Sequence, residues 1–310
     1  MVDFQKIKTL PIRRIPHKVK IADFAKPCPP GSSWGEFLAS LPNILAAKDF
    51  RDLARRIVRT RREGHPLIVG IGGHVIKCGL SALLIDLMER GVITALAMNG
   101  SAAIHDFEIA LIGETSEDVP SSLEDGIFGM AEETGRMLNE AIKMGVKRGW
   151  GTGEAIGRFI ETKKLPHRSL SVLARGFALG LPLTVHIAIG TDTIHSHPAA
   201  SGAALGESSL QDFRLLAGLV AACESGGYIN IGSAVVLPEV FLKTVAIARN
   251  LGKKLEGLWT ANFDMIRGYR PMENVIKRPP GRKGRGYAFL GQHEIMIPLL
   301  RRAVIEEMER

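Results

Sequence analysis

Residues 67–106 read LIVGIGGHVIKCGLSALLIDLMERGVITALAMNGSAAIHD, two apolar runs that each end in a Gly-rich polar cluster and are joined by an amphipathic helix. That pattern is a βαβ unit. A run without polar residues such as 67–71 suits a parallel strand covered on both faces, and parallel crossovers are right-handed. Gly72, Gly73 and His74 after the first strand and Asn99, Gly100 and Ser101 after the second are therefore expected on one edge. Open α/β sheets bind ligands there. The fold class that follows is α/β: a Rossmann-like, doubly wound, mostly parallel sheet with helices on both faces.

Upstream of this unit, residues 1–30 contain five prolines and little periodicity, which reads as an extended arm lying on the body or on a neighbouring subunit. Helices are expected at 32–47 and 48–62, so that 1–63 form an arm and helices packed on a main domain, 64–310. Downstream, helices are expected at 102–111, 123–144, 154–160 and 170–179, a helical crossover of unusual length. Strand signals resume at 183–189, 228–231 and 255–260, separated by helices at 209–225 and 238–250, and a helix at 294–308 closes the chain.

Hydrophobic residues make up 45% of the 310, enough for a large core. No run approaches a membrane helix, and the first twenty residues mix charge with apolar side chains where a signal peptide would be apolar, so a cytoplasmic protein is expected. Cys28, Cys78 and Cys223 are too few and too scattered for a disulfide framework; they are expected to be reduced, with Cys78 and Cys223 in the core. The net charge of +8 is concentrated in RDLARRIVRTRR (51–62) and KRPPGRKGR (277–285). The first run has Leu53, Ile57 and Val58 as an apolar stripe beneath its arginines, the mark of a solvated helix face. No aromatic residues interleave with the basic ones, which argues against nucleic acid as a partner. The second run reads as a basic loop able to close over an anion.

Gly-rich turns after strands let backbone approach a phosphate while the next helix presents unpaired N–H groups to it. Residues 70–73 depart from the GxGxxG spacing, and a P-loop is absent. The run GTDTIHSHP (190–198) places Asp192, His195 and His197 on a loop after a buried strand, near His105 and Asp106 on a neighbouring one. Imidazole and carboxylate in such a cluster suit a divalent metal, and a metal-dependent hydrolase or lyase using Asp192, His195 and His197 is one reading. The other is that these groups hydrogen-bond loop backbone or a ligand, with no metal.

The order of motifs across roughly 67–300 resembles the deoxyhypusine synthase family. Residues 79–109 look like that family's helix, strand and small-residue loop ending in two acidic residues, whose places are taken here by His105 and Asp106. Thr191-Asp192 is similar to its Thr-Asp, LQDFRL (210–215) to its Val-Glu-Asp-Leu-Arg helix, and GSAVV (232–236) to its Gly-Gly-Gly-Val-Val turn. RPMENV (270–275) resembles its Arg-Pro-Asp-Glu-Ala-Val, and Tyr287-Ala288 with IPLL (297–300) its closing strand and helix. Residues 103–116 also look like the NAD-binding domain of bifunctional arginine-degrading enzymes with ornithine cyclodeaminase activity.

Both resemblances imply NAD as cofactor. They place Gly72, Gly73, Asn99, Gly100, Ser101, Asp106, Asp192, Gly232, Ser233 and Ala234 at the dinucleotide, with Asp106 and Asp192 accepting from ribose or amide groups. They imply a homo-oligomer, tetramer or dimer, and a transferase or oxidoreductase; family members oxidise spermidine and move an aminobutyl group through a lysine imine. Pro238 replaces the family's catalytic histidine, His105 and His197 stand at polyamine-contacting acidic positions, and Lys277 lies two residues closer to Arg-Pro than the imine-forming lysine. The expected catalytic set is Lys277, His105 and Glu273. Exchanging carboxylates for imidazoles points away from a true deoxyhypusine synthase and toward hydride transfer on a small amine, amino acid or anionic metabolite. A non-catalytic NAD-binding oligomer is the remaining alternative.

Overall fold

The computed structural model describes residues 2–310. Six strands, β1 (Leu67–Ile71), β2 (Ala95–Asn99), β3 (Leu183–His186), β4 (Gly227–Ile231), β5 (Trp259–Asp264) and β6 (Arg285–Leu290), form one all-parallel sheet in the order β3-β2-β1-β4-β5-β6. The expected doubly wound α/β class is what the chain adopts. The strand order reverses between β1 and β4, so the loops after them diverge at the point where such sheets take ligands.

Strand alternation divides the core. Leu67, Val69, Ile71, Leu96, Met98, Ile229, Ile231, Phe263 and Phe289 join one apolar cluster, while Ile68, Ala95, Ala97 and Tyr228 join the other. The first face packs beneath α2 (Leu45–Arg62), α4 (Ser81–Glu89), α5 (Gly100–Ile112) and α13 (His293–Met308). The second meets α10 (Gly202–Ala221) and α11 (Val236–Asn250). Gly70 lies on this second face because a Cβ there would stand 2.5 Å from the Tyr228 hydroxyl. β1, β4 and β5 are buried at every position; β1 accordingly reads as a continuous apolar run, whereas β4 holds Asn230 and β5 alternates Thr260, Asn262 and Asp264 with apolar residues.

Helix boundaries differ from expectation where backbone chemistry intervenes. The first predicted helix stops early: α1 spans Trp34–Ser40, capped reciprocally by Ser33 and Glu36, and Pro42 separates it from α2. The predicted 123–144 helix is two, α6 (Val119–Glu124) and α7 (Glu132–Arg148), because Gly126 and Gly129 adopt φ of 69° and 72° between them. α3 (Gly73–Lys77) precedes α4 between β1 and β2, and after α7 the helical crossover continues with α8 (Thr152–Thr162) and α9 (Val172–Ala178) before β3. A short helix α12 (Tyr269–Pro271) runs on as a π-helical turn, Met272–Lys277. Cys223 is buried, but Cys78 is only half-buried, at the end of α3 where solvent reaches it.

The arm is extended and exposed, broken by three single 3₁₀ turns. Among the described residues no helix is long and apolar enough to cross a membrane.

Candidate functional site

A cavity of about 200 Å³ opens at the carboxyl ends of β1, β2 and β3, lined by Lys77, Ser101, His105, Glu108, Asp192 and Phe128 among others. Lys77 comes from α3 after β1, Ser101, His105 and Glu108 from α5 after β2, Ser116 and Glu117 from the loop beyond α5, and Asp192 from the loop after β3. Asn99 caps α5 by accepting from the Ala102 N–H at 2.9 Å, which fixes the helix start and sets Ser101, His105 and Glu108 on one side of it. The Gly100 and Ser101 amides, in the first turn, have no intrahelical acceptor.

His105 is the centre of a relay. Its Nδ1 lies 2.7 Å from Thr115 Oγ1, the Thr115 hydroxyl donates to Glu108 Oε2 at 2.5 Å, and Thr134 donates to Glu108 Oε1 at 3.2 Å. The single hydroxyl proton of Thr115 goes to the carboxylate, so Nδ1 must be the donor to Thr115. Nε2 of the neutral ring is then left with its lone pair, the state a general base requires. Burial works against the Glu108 carboxylate, but hydrogen bonds and charge from His105 and Thr115 outweigh it and hold its pKa below the usual value.

Asp192 sits over the start of α5: a Cβ on Gly100 would lie 2.0 Å from Asp192 Oδ2. Burial raises its pKa to about 6. His195, from the same loop, accepts from the Gly190 N–H at Nδ1 (3.1 Å), and its Nε2 is buried with no hydrogen-bond partner, 3.8 Å from Asp192 Oδ2. Burial also lowers the His195 pKa, which keeps the ring neutral.

The glycines at the switch point are filled largely by the protein itself. A Cβ on Gly72 would meet the Gly232 carbonyl oxygen at 2.2 Å, and one on Gly73 would meet Ser101 Oγ at 2.4 Å. Ser233 is buried, with its hydroxyl accepting from Leu237 N and its carbonyl from Asn230, so its side chain caps α11. Ala234 lies beside it at the start of the same turn. The groups free to meet a dinucleotide are the α5 amides, Ser101 and Asp192. That donor and acceptor set, beside Gly190 where an added Cβ would meet nothing within 4 Å, fits a ribose and an anion at the ends of β2 and β3.

Three expectations are corrected. Asp106, one residue beyond His105, turns away from the cavity: fully buried, it accepts from Ser171 Oγ at 2.5 Å, Val172 N at 2.7 Å and Leu173 N at 3.2 Å. It holds the start of α9, and its burial lifts its pKa to about 6 against those donors. Lys277 and Glu273 lie away from the cavity. The helical turn after β5 runs back down the sheet, so that Val275 accepts from Thr260 and Ile276 packs on Gly286, near the starts of β5 and β6. The Lys277 side chain is 58% exposed and its ammonium is bonded to Glu273, without the burial that tunes an imine-forming lysine. Finally, Asp192, His195 and His197 do not converge: His197 binds Glu132 at Nε2 and accepts from Ala199 N at Nδ1.

The cavity is lined by Lys77 and Glu108, with Thr115 behind them bridging Glu108 to His105, and sequence reasoning missed all three. Lys77 lies one helical turn past Gly73, and Glu108 lies three residues past His105 on the same helix, a spacing that brings side chains together. Both signals were present; nothing in the sequence placed Thr115 between them.

No protein-family profile matches the chain, and no curated protein matches it. Solved structures share its fold. ArgZ, a cyanobacterial arginine dihydrolase from the ornithine-ammonia cycle, superposes with a TM-score of 0.52 at 15% identity over 85% of this chain and 33% of its own. AgrE in ternary complex with ornithine and NAD+ superposes at 0.52 and 13% identity over 85% of this chain and 34% of that one. A candidate deoxyhypusine synthase from Entamoeba histolytica reaches 0.54 at 12% identity, covering 89% of this chain and 94% of that one. The chain spans about a third of the length of ArgZ and AgrE. The fold is thus the one shared by deoxyhypusine synthase-like and NAD-binding arginine-metabolism proteins.

Proposed function

We propose that the chain is an NAD-dependent oxidoreductase acting on a small amino acid or related zwitterionic metabolite, with His105 as the acid/base. The observation that carries this reading is the Glu108–Thr115–His105 relay in a cavity at the carboxyl edge of a parallel sheet. NAD, when bound, supplies the hydride acceptor. The Gly100 and Ser101 amides, Ser101 Oγ and Asp192 would hold it, with Gly72, Gly73, Gly232 and Ala234 shaping the backbone around it. His105 Nε2 would take the proton from the substrate's amine or hydroxyl, and Glu108, through Thr115, would stabilise the resulting imidazolium.

Substrate charge follows from the lining. The lining carries one lysine, Lys77, and three carboxylates, Glu108, Glu117 and Asp192. A carboxylate at Lys77 and an amine on the acidic side of the lining would match both signs, with Asp192 kept at the cofactor, whereas a polyamine would meet Lys77 unfavourably. The exposed position of Lys277 agrees with a reaction that does not pass through an imine on that residue. AgrE's complex with ornithine and NAD+ supports the choice of cofactor and of substrate class. Exposed Phe4, Ile7, Leu10 and Ile12 on the arm support a homo-oligomer, since contiguous apolar exposure marks contact surfaces.

The test is calorimetric titration of the dialysed protein with NAD and NADH, followed by a panel of amino acids and amines read by NADH absorbance. Saturable binding with turnover of a zwitterion, lost in His105→Ala while binding persists, is expected. Absence of dinucleotide binding would refute the proposal.

A further inference from the structure

We propose that His74, Cys78 and Glu294 form a site for one divalent transition-metal ion of the zinc type. Their ligand atoms all lie within 4.8 Å of one another, with Cys78 Sγ 3.7 Å from Glu294 Oε2. Donors around a tetrahedral zinc are about 3.5 Å apart, so side-chain shifts of roughly an ångström complete the shell. His74 and Cys78 are four residues apart, across one turn of α3, and Glu294 is in the first turn of α13. One nitrogen, one sulfur and one oxygen donor select a borderline ion over magnesium or calcium.

The surroundings support a cation. His293, whose ring centroid is 5.6 Å from that of His74, places Nε2 3.2 Å from the Phe263 carbonyl. A carbonyl only accepts, so Nε2 carries the proton, and Nδ1 is a buried acceptor with no partner. Asp264 Oδ2 is a second buried acceptor without a partner, and its charge also acts on His74. These two acceptors are the kind of groups that receive hydrogen bonds from a metal-bound water or its ligands. Three protein ligands leave a fourth position for such a water, the arrangement of exchangeable zinc sites.

The Cys78 thiol becomes a ligand when an ion displaces its proton, so binding releases a proton. Lys77 opposes the cation from the neighbouring position. His74, Cys78 and Glu294 do not line the cavity of the proposed oxidoreductase site, so this proposal stands without the NAD reading.

The experiment is titration of chelator-treated, dialysed protein with zinc chloride by calorimetry, and with cobalt(II) by absorption, in the absence of dinucleotide. One ion per chain is expected, with a thiolate-to-cobalt charge-transfer band. Cys78→Ala should abolish the band, and Glu294→Gln, at an exposed position where folding is undisturbed, should weaken zinc at least tenfold. Thermal unfolding of both metal-free variants, compared with the parent, reports their folding. No stoichiometric binding, a cobalt spectrum lacking the thiolate band, or zinc affinity unchanged in Glu294→Gln would each overturn the assignment.

Discussion

Replacing Asp106 with Ala removes the acceptor of three buried donors: Ser171 Oγ, Val172 N and Leu173 N. A buried donor left unpaired costs about 1–3 kcal/mol, so the three together set an upper limit of roughly 9 kcal/mol. Two terms reduce it. The carboxylate's own burial, strong enough to raise its pKa to about 6 despite three hydrogen bonds, is relieved by truncation, and a water entering the vacated space can accept from two of the donors. We expect a net loss of about 3–4 kcal/mol at neutral pH, within the range for breaking a buried polar network. Urea unfolding followed by circular dichroism measures it: with a slope of about 3 kcal/mol/M, the midpoint falls by about 1 M. Asp106→Asn, which keeps the shape but turns an amide group toward the donors, should lie between. Dinucleotide affinity of the folded fraction should stay within about twofold. A wild-type midpoint, or a stable Asp106→Ala protein that has lost dinucleotide binding, would show that the carboxylate serves the ligand and not α9.

Thr115→Val cuts the link between His105 and Glu108 and should lower kcat about 10- to 100-fold, with KM little changed and the pH profile shifted; an unaltered profile would remove Glu108 from the relay. Gly72→Ala and Gly100→Ala should separate cleanly, because the first meets backbone at Gly232 and the second only the end of the Asp192 side chain. Gly72→Ala should destabilise by more than about 3 kcal/mol, and Gly100→Ala by about 1 kcal/mol with weakened dinucleotide binding; similar unfolding midpoints would contradict the packing described. Asp106 and Asp192 at about 6 and Asp212 at about 7 all stand above the ordinary 3.8, so the native state holds extra protons in this range. Their stabilising contribution is complete below about pH 4 and is lost as pH rises through 6 and 7. His186, lowered to about 4, acts with the opposite sign, losing its contribution as pH falls through 4. Asp212→Asn should therefore flatten the decline in stability between about pH 5 and 8; an equal slope in urea midpoints would mean that Asp212 is ionised throughout.

The start of the sheet was legible because β1 and β2 are buried on both faces and leave nearly uninterrupted apolar signatures, whereas β5 carries three polar residues and β6 is exposed at alternate positions. Leu67–Ile71 is read to the residue, whereas β5 starts at Trp259 and not at 255, since Leu255 and Leu258 are core residues of the loop before it. The site was harder to read. His105 and Asp106 are consecutive, and α5 is buried on most of its surface, so no polar face marks which of the two looks into the cavity. Sequence order put both at the site; helix phase keeps His105 at the cavity and turns Asp106 away from it. Lys277 could not be placed because a few residues of helix decide whether a side chain is at the top of a strand or near its base. Thr115 joins His105 and Glu108 only through tertiary folding of the loop after α5, a contact that no local pattern encodes.

The long detour between the central strands has a consequence for how the chain is made. β1 pairs on one side with β2, which follows it closely, and on the other with β4, whose first residue, Gly227, emerges only after the whole helical crossover and β3 have been synthesised. Until then, one hydrogen-bonding edge of an entirely apolar strand is uncovered on the nascent chain, a template for pairing with a neighbouring polypeptide. Release of a productive native protein from the ribosome therefore depends on shielding that edge during elongation, and slow codons or chaperone depletion upstream of Gly227 should appear as aggregation before they appear as lost stability.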